Sequence, residues 1–193
     1  MAATDAPPGP QVMTDVRRSF RIMDESRYLE WVRASRWLAH VHPMLVDLAN
    51  GLGILDVRLI AKDARLQELF PTSTGRVEMP LELEHRVLSL LWLLGAYELI
   101  RTLSQRLREK PGARALEAVR ALVPVKLTLE RLRMPLAKLE KARRGEESDF
   151  SMAFPVLDGA KGMGWVISPT GHIPRRKVAD DLLEGLSRAG DGV

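Results

Sequence analysis

Fourteen residues, Val87 to Ile100, are apolar at nearly every position, with only Ser89, Gly95 and Glu98 interrupting them. Pro80 stands upstream, followed by Glu82 and Glu84. Proline suits the first turn of a helix, where its missing N–H would lack a partner anyway, and carboxylates suit the positive end of the helix dipole. The reading is a helix over about 80–110. A helix apolar all round has to be surrounded by others, so this segment is expected to be the central, buried helix of a bundle, with Leu91 inside it. The run is shorter than the roughly 20 residues that span a bilayer and it carries Glu98, so no membrane partner is expected.

The rest of the bundle follows from spacing. From Ser26 onward, Trp31/Val32, Trp37/Leu38, Val41, Met44/Leu45 and Leu48 recur at three-four intervals, the pattern of a helix face. Pro43 predicts a kink or break near His42, and Asn50-Gly51 a C-terminal stop. Leu55, Val57 and Leu59 alternate with Asp56 and Arg58, which reads as a short strand over Ile54–Ala61. Asp63 then reads as the N-cap of a two-turn helix ending before Pro71, and Val12–Arg21 as a short amphipathic helix. Beyond the tight Lys110-Pro111-Gly112 connection, Ala113–Arg144 carries leucines at helical spacing, interrupted by Pro124 and Pro135. It is expected to return antiparallel to the central helix, as one curved helix or as two broken at Pro124.

Composition changes after Asp149. Phe154–Leu157 and Gly164–Ile167 are β-prone runs around a glycine-bearing turn, which predicts a hairpin, with Ile54–Ala61 the candidate third strand. Pro174 opens a closing helix with Val178, Leu182/Leu183 and Leu186 on one stripe. The expected fold is mainly α: a helical bundle around a central buried helix (about 80–110), with a small C-terminal β-hairpin and closing helix. Its organisation is a disordered leader at 1–12, a bundle at 13–145, and a hairpin plus short helix at 146–193 packed on the bundle in the same domain.

The absence of cysteine excludes disulfides, thiolate nucleophiles and cysteine-ligated metals. With no signal-peptide pattern at the N-terminus, a cytoplasmic location is expected. His40, His42, His85 and His172 show no metal-ligand spacing; His85 reads as a solvated helix residue. No nucleotide fingerprint occurs, so neither metal nor cofactor is expected. Charge is the stronger signal. Residues 101–144 hold 13 basic and 4 acidic side chains, a balance of +9, against −2 before them and −3 after them. If the segment is one helix, Lys126, Arg133, Lys141 and Arg144 follow one stripe and Arg131 and Lys138 a neighbouring one, a positive ridge roughly 25–30 Å long. Such a ridge suits a nucleic acid backbone or an acidic protein surface. Trp165, on the hairpin, is the tryptophan expected to face a partner.

Glu98 and Arg101, three apart in the central helix beside Gly95 and Ala96, are expected to form a buried polar pair that fixes helix register. Apolar residues beyond one stripe, in a chain 46% hydrophobic, predict a homo-oligomer. The function expected is non-enzymatic: a helical interaction or assembly protein that contacts nucleic acid through 101–144. An alternative comes from another spacing. Arg33 precedes His40 with six residues between, and Arg36 precedes His42 with five. This is similar to the Arg-x(4–6)-His pair of HEPN-type ribonucleases, which are helical bundles. That resemblance implies metal-independent RNA cleavage, with Arg36 clamping phosphate and His42 transferring a proton.

Overall fold

The computed structural model describes residues 24–69, 79–109 and 112–191. The leader, the Val12–Arg21 segment and the loop at Pro71–Gly75 lie outside them. Five α-helices and a three-stranded sheet make up the described fold: α1 (Glu25–Ser35), α2 (Pro43–Leu69), α3 (Met79–Glu109), α4 (Ala113–Arg133), β1 (Phe154–Asp158), β2 (Gly162–Val166), β3 (His172–Pro174) and α5 (Arg175–Asp191). Each helix packs on the next, and α5 returns to α1, so the five close into a ring around one core.

The N-cap of α1 is Asp24, whose carboxylate accepts from the Arg27 N–H at 3.1 Å. The helix tightens into a 3-10 turn over Arg36–His40, and Pro43 starts α2, so the break expected near His42 is present. The His42 side chain completes the junction, its Nδ1 accepting from the Met44 N–H.

From Pro43, α2 runs without interruption to Leu69. Asn50-Gly51 does not stop it, Ile54–Ala61 is not a strand, and Asp63 is not an N-cap. Its buried residues include Leu45, Ala49, Leu52, Gly53, Asp56, Leu59, Asp63 and Leu66, a helical stripe that is continuous only if both aspartates point inward. Gly53 is required by packing, since a Cβ there would lie 2.6 Å from Trp31.

The central helix is α3, flanked by α2 and α4 and touching α5 and β2. Leu52–Trp92 and Lys62–Glu84 contacts show that α2 runs antiparallel to it. Its inner face, with Trp92, Leu93, Ala96, Leu99, Ile100 and Leu103, forms much of the core. Trp31 meets Trp92 edge to face, with centroids 6.4 Å apart. Among the described residues α3 is the one helix long and apolar enough to cross a membrane, yet half of its most apolar window is buried inside the fold. The other half faces outward, and this includes Leu91, 54% exposed. At 31 residues α3 outruns the 21 of α4 by roughly 15 Å, so among the described residues the outer side of its N-terminal half has no neighbouring helix.

Pro124 lies inside α4, which continues through it. Pro135 has a larger effect. Lacking an N–H and clashing one turn back, it coincides with a widening into a π turn over Met134–Lys138, closed by Leu139 in the left-handed region at φ 55°. The helix therefore ends well before Arg144. The following loop is tied back by Asp149, which accepts from Arg131 Nε at 2.7 Å, from Arg131 Nη2 at 2.5 Å and from the Glu146 N–H at 3.0 Å. These hydrogen bonds hold the Asp149 carboxyl below the usual carboxylate range.

The hairpin forms as expected, with Phe154 opposite Val166 and Asp158 opposite Gly162. Asp158 Oδ1 accepts from the Ala160 and Lys161 N–H groups, and Gly162 takes φ +71°. The third strand is β3, which pairs antiparallel with β2, rather than Ile54–Ala61. Because β2 packs on α5 and α2, Trp165 points into the core and is 2% exposed. It cannot face a partner.

Candidate functional site

The end of α4 brings several of the predicted partner-binding residues together, though not as a straight ridge. Leu139 turns the chain, and Arg131, Lys138, Arg143 and Arg144 come to line one cavity of about 410 Å³ with Leu127, Glu130, Met134, Glu140 and Ala142. Arg131 is committed to Asp149 and to Glu146 at 2.9 Å, so it frames the cavity rather than offering a free charge. Lys138, Arg143 and Arg144 have no ion-pair partner among the described residues. A π turn closed by a left-handed non-glycine residue costs conformational energy, and such features concentrate where a site needs them.

A second depression, about 430 Å³, lies between α3 and α4 and is lined by Arg101, Ser104, Gln105, Arg108, Glu109 and Lys126. Arg108 and Lys126 are unpaired there among the described residues. Lys126 on α4 and Lys138 in the π turn that continues it are about 18 Å apart along the chain axis at 1.5 Å per residue, so the two basic clusters border the same helical segment. Between them, the Arg133 guanidinium lies 4.6 Å over the Tyr97 ring, and beyond them Lys141 donates to the Glu147 carbonyl. The outer side of α4 also exposes Leu116, Val123 and Leu127, interleaved with Glu117 and Arg120.

Glu98 and Arg101 are not buried. They form a 2.7 Å ion pair on the outer face of α3, each side chain nearly half exposed, because Gly95 and Ala96 turn toward the bundle while positions 98 and 101 turn away. An exposed pair of this kind contributes about 0–1 kcal/mol.

The buried polar residues of this fold are elsewhere. Asp56 and Asp63, two helical turns apart on α2, receive Arg175, the first residue of α5. Arg175 Nη1 donates to Asp56 Oδ1 at 2.5 Å and Nη2 reaches Asp63 Oδ2 at 3.4 Å, with the guanidinium 5.7 Å from the Trp92 ring. Asp56 Oδ2 also accepts from Arg27 Nε at 2.9 Å and Trp31 Nε1 at 3.1 Å. Asp63 Oδ1 accepts from His85 Nε2 at 2.7 Å and the Met163 N–H at 2.8 Å. Gly162 permits this approach, since a Cβ there would lie 2.5 Å from the Asp63 carboxylate. Asp56, His85 and Arg175 are fully buried, so His85 is not a solvated residue. One network thus fastens α1, α2, α3, the hairpin and α5.

Burial alone would raise the Asp63 carboxyl, but hydrogen bonds from His85 and Met163, together with the Arg175 charge, more than offset it and hold the group below the usual range. A depressed folded-state pKa contributes stability that is present above the unfolded value, near 3.9, and lost as pH falls through the folded one. Acid unfolding is therefore expected to steepen below about pH 4. An Asp63→Asn variant, measured by circular dichroism across that range, should be less stable near neutrality and show a shallower acid limb.

Asp63, His85 and Ser89 form a carboxylate–imidazole–hydroxyl series, the residue types of nucleophilic hydrolases. Yet His85 Nδ1 and Ser89 Oγ, one turn apart on α3, are both buried without a hydrogen-bond partner among the described residues. No group of three or more metal-ligating side chains occurs among the described residues.

Of the two pairs of the nuclease alternative, Arg33 and His40 line the same depression, while Arg36 and His42 are placed differently. His42 caps the first turn of α2, whereas Arg36 lines an open depression with Arg33 and His40. Comparison with protein-family models, curated proteins and solved structures finds no match to this chain.

Proposed function

We propose that this is a cytoplasmic helical interaction protein that binds nucleic acid through the unpaired cations around α4 and associates with a second copy of itself through the outer face of α3. The observation that carries the first part is the cavity at the end of α4, where Lys138, Arg143 and Arg144 are gathered by the π turn without ion-pair partners among the described residues. Unpaired cations 18 Å from a second cluster at about 1.5 Å per residue can follow a phosphate backbone, each contact releasing counterions. An acidic protein surface is the other partner such a track would suit. Binding of a generic RNA or DNA that weakens steeply with salt tests the proposal.

Self-association rests on Met79, Leu83, Val87 and Leu91, exposed at 47–65% and spaced four apart along the outer face of α3. Apolar residues aligned in this way are costly to leave in water and suit packing against another helix. The triple variant Leu83→Glu/Val87→Glu/Leu91→Glu is expected to sediment as a monomer where the parent forms a dimer at micromolar concentration. Its melting temperature at low concentration should stay within a few degrees of the parent, since these side chains leave no hole in the core. A parent that is monomeric throughout would remove this half of the proposal.

A further inference from the structure

Where the C-terminal end of α1 and its 3-10 turn meet the last turn of α5, an open depression of about 500 Å³ is lined by Arg33, Arg36, Trp37, His40, Ser187 and Gly190. We infer that it binds a small phosphate ester of mononucleotide size. Arg33 and Arg36 are exposed, one helical turn apart, and neither has an ion-pair partner among the described residues. Asp191 borders the same depression but lies beyond ion-pair distance of both. Two guanidinium side chains lining one concavity can both donate to the oxygens of a phosphate group, and His40 and Ser187 add further polar groups to the lining.

The Trp37 indole lines the depression and is 9% exposed. Trp37 Nε1 donates to the Leu186 carbonyl at 2.9 Å, which holds the indole in place. Gly190 makes room for it, since a Cβ there would lie 2.5 Å from the indole Cδ1. Trp37 is the least buried of the four tryptophans, so a planar ring beside the bound phosphate would have a hydrophobic edge to rest on. The volume falls within the range of small-ligand sites. Basic side chains near helix C-termini also offset the helix dipole, and the test separates that role from ligand binding.

The measurement is a tryptophan-fluorescence titration of the full chain with AMP, with inorganic phosphate in parallel. Trp31, Trp92 and Trp165 are at most 2% exposed, so a ligand in the depression reports through Trp37. AMP is expected to change emission saturably and to bind at least about tenfold tighter than inorganic phosphate. Arg33→Ala/Arg36→Ala should weaken AMP by about 10- to 100-fold through loss of charge-assisted hydrogen bonds. Trp37→Phe should abolish the optical signal while calorimetry still reports binding. Lys138→Glu/Arg143→Glu/Arg144→Glu, whose side chains line a different cavity, should leave AMP affinity at this depression unchanged, which keeps this result separate from nucleic-acid binding at α4. No saturation by about 10 mM AMP, or equal affinity in the double arginine variant, would overturn the inference. A double variant that loses only thermal stability would assign the arginines to the helix ends instead.

Discussion

Arg175→Met is expected to be the most destabilising single substitution in this fold. The guanidinium is fully buried between Asp56 and Asp63 and beside the Trp92 ring, so methionine would fill much of its volume but supply no charge. Asp56 would keep Arg27 and Trp31, and Asp63 would keep His85 and the Met163 N–H. The pair would nevertheless hold more negative charge than its surroundings compensate. Breaking a buried ion pair by removing one partner costs about 3–5 kcal/mol, or about 6–20 °C in Tm for a chain of this size. The effect should depend on the charge left behind rather than on the cavity. Asp63→Asn/Arg175→Met, which removes one of the two negative charges while the amide oxygen can still accept from His85 and the Met163 N–H, should therefore be more stable than Arg175→Met alone, as measured by denaturant unfolding. Equal melting of Arg175→Met and the parent would show that the network does not hold the helices and the hairpin together.

That network also explains which parts of the fold could be read from the amino acids. The central helix was legible because proline, first-turn glutamates and an unbroken apolar run agree, and the hairpin because glycines fall where a turn needs them. The helix α2 was not, because Asp56 and Asp63 occupy inward positions of its stripe and polar residues there make a helical period look like a short alternating strand. Their partner, Arg175, lies 119 residues from Asp56, beyond the reach of any local pattern. Two aspartates seven residues apart on a face otherwise made of Leu45, Ala49, Leu52, Leu59 and Leu66 were the available signal.

Glu98 and Arg101 show the converse. Their place within an apolar run suggested burial, but the outer face of α3 is open, and Leu91 lies on that face too. Trp165 failed as a partner residue because β2 is packed on three helices, a contact that hairpin sequence alone does not encode. In the basic segment, composition identified the charge but not its arrangement. Pro135 and the left-handed Leu139 convert an expected stripe into a cavity, bringing in Arg143 while Arg131 and Arg133 are held by Asp149 and Tyr97.

The second large effect concerns binding, and the decisive quantity is a slope. Affinity of the full chain for a labelled RNA and for a DNA duplex of the same length would be measured by fluorescence anisotropy across a salt series, for the parent and for Lys138→Glu/Arg143→Glu/Arg144→Glu. None of the three side chains has an ion pair to lose among the described residues, so Tm should be unchanged and any change in affinity belongs to the partner. If the cations around α4 track a phosphate backbone, log K falls linearly with log salt in the parent. The variant should bind at least about tenfold more weakly, with a slope reduced by about 2 to 3, one counterion-release increment for each cation removed. Identical slopes in parent and variant, or no binding of either nucleic acid at low salt, would contradict a nucleic-acid interface at the end of α4.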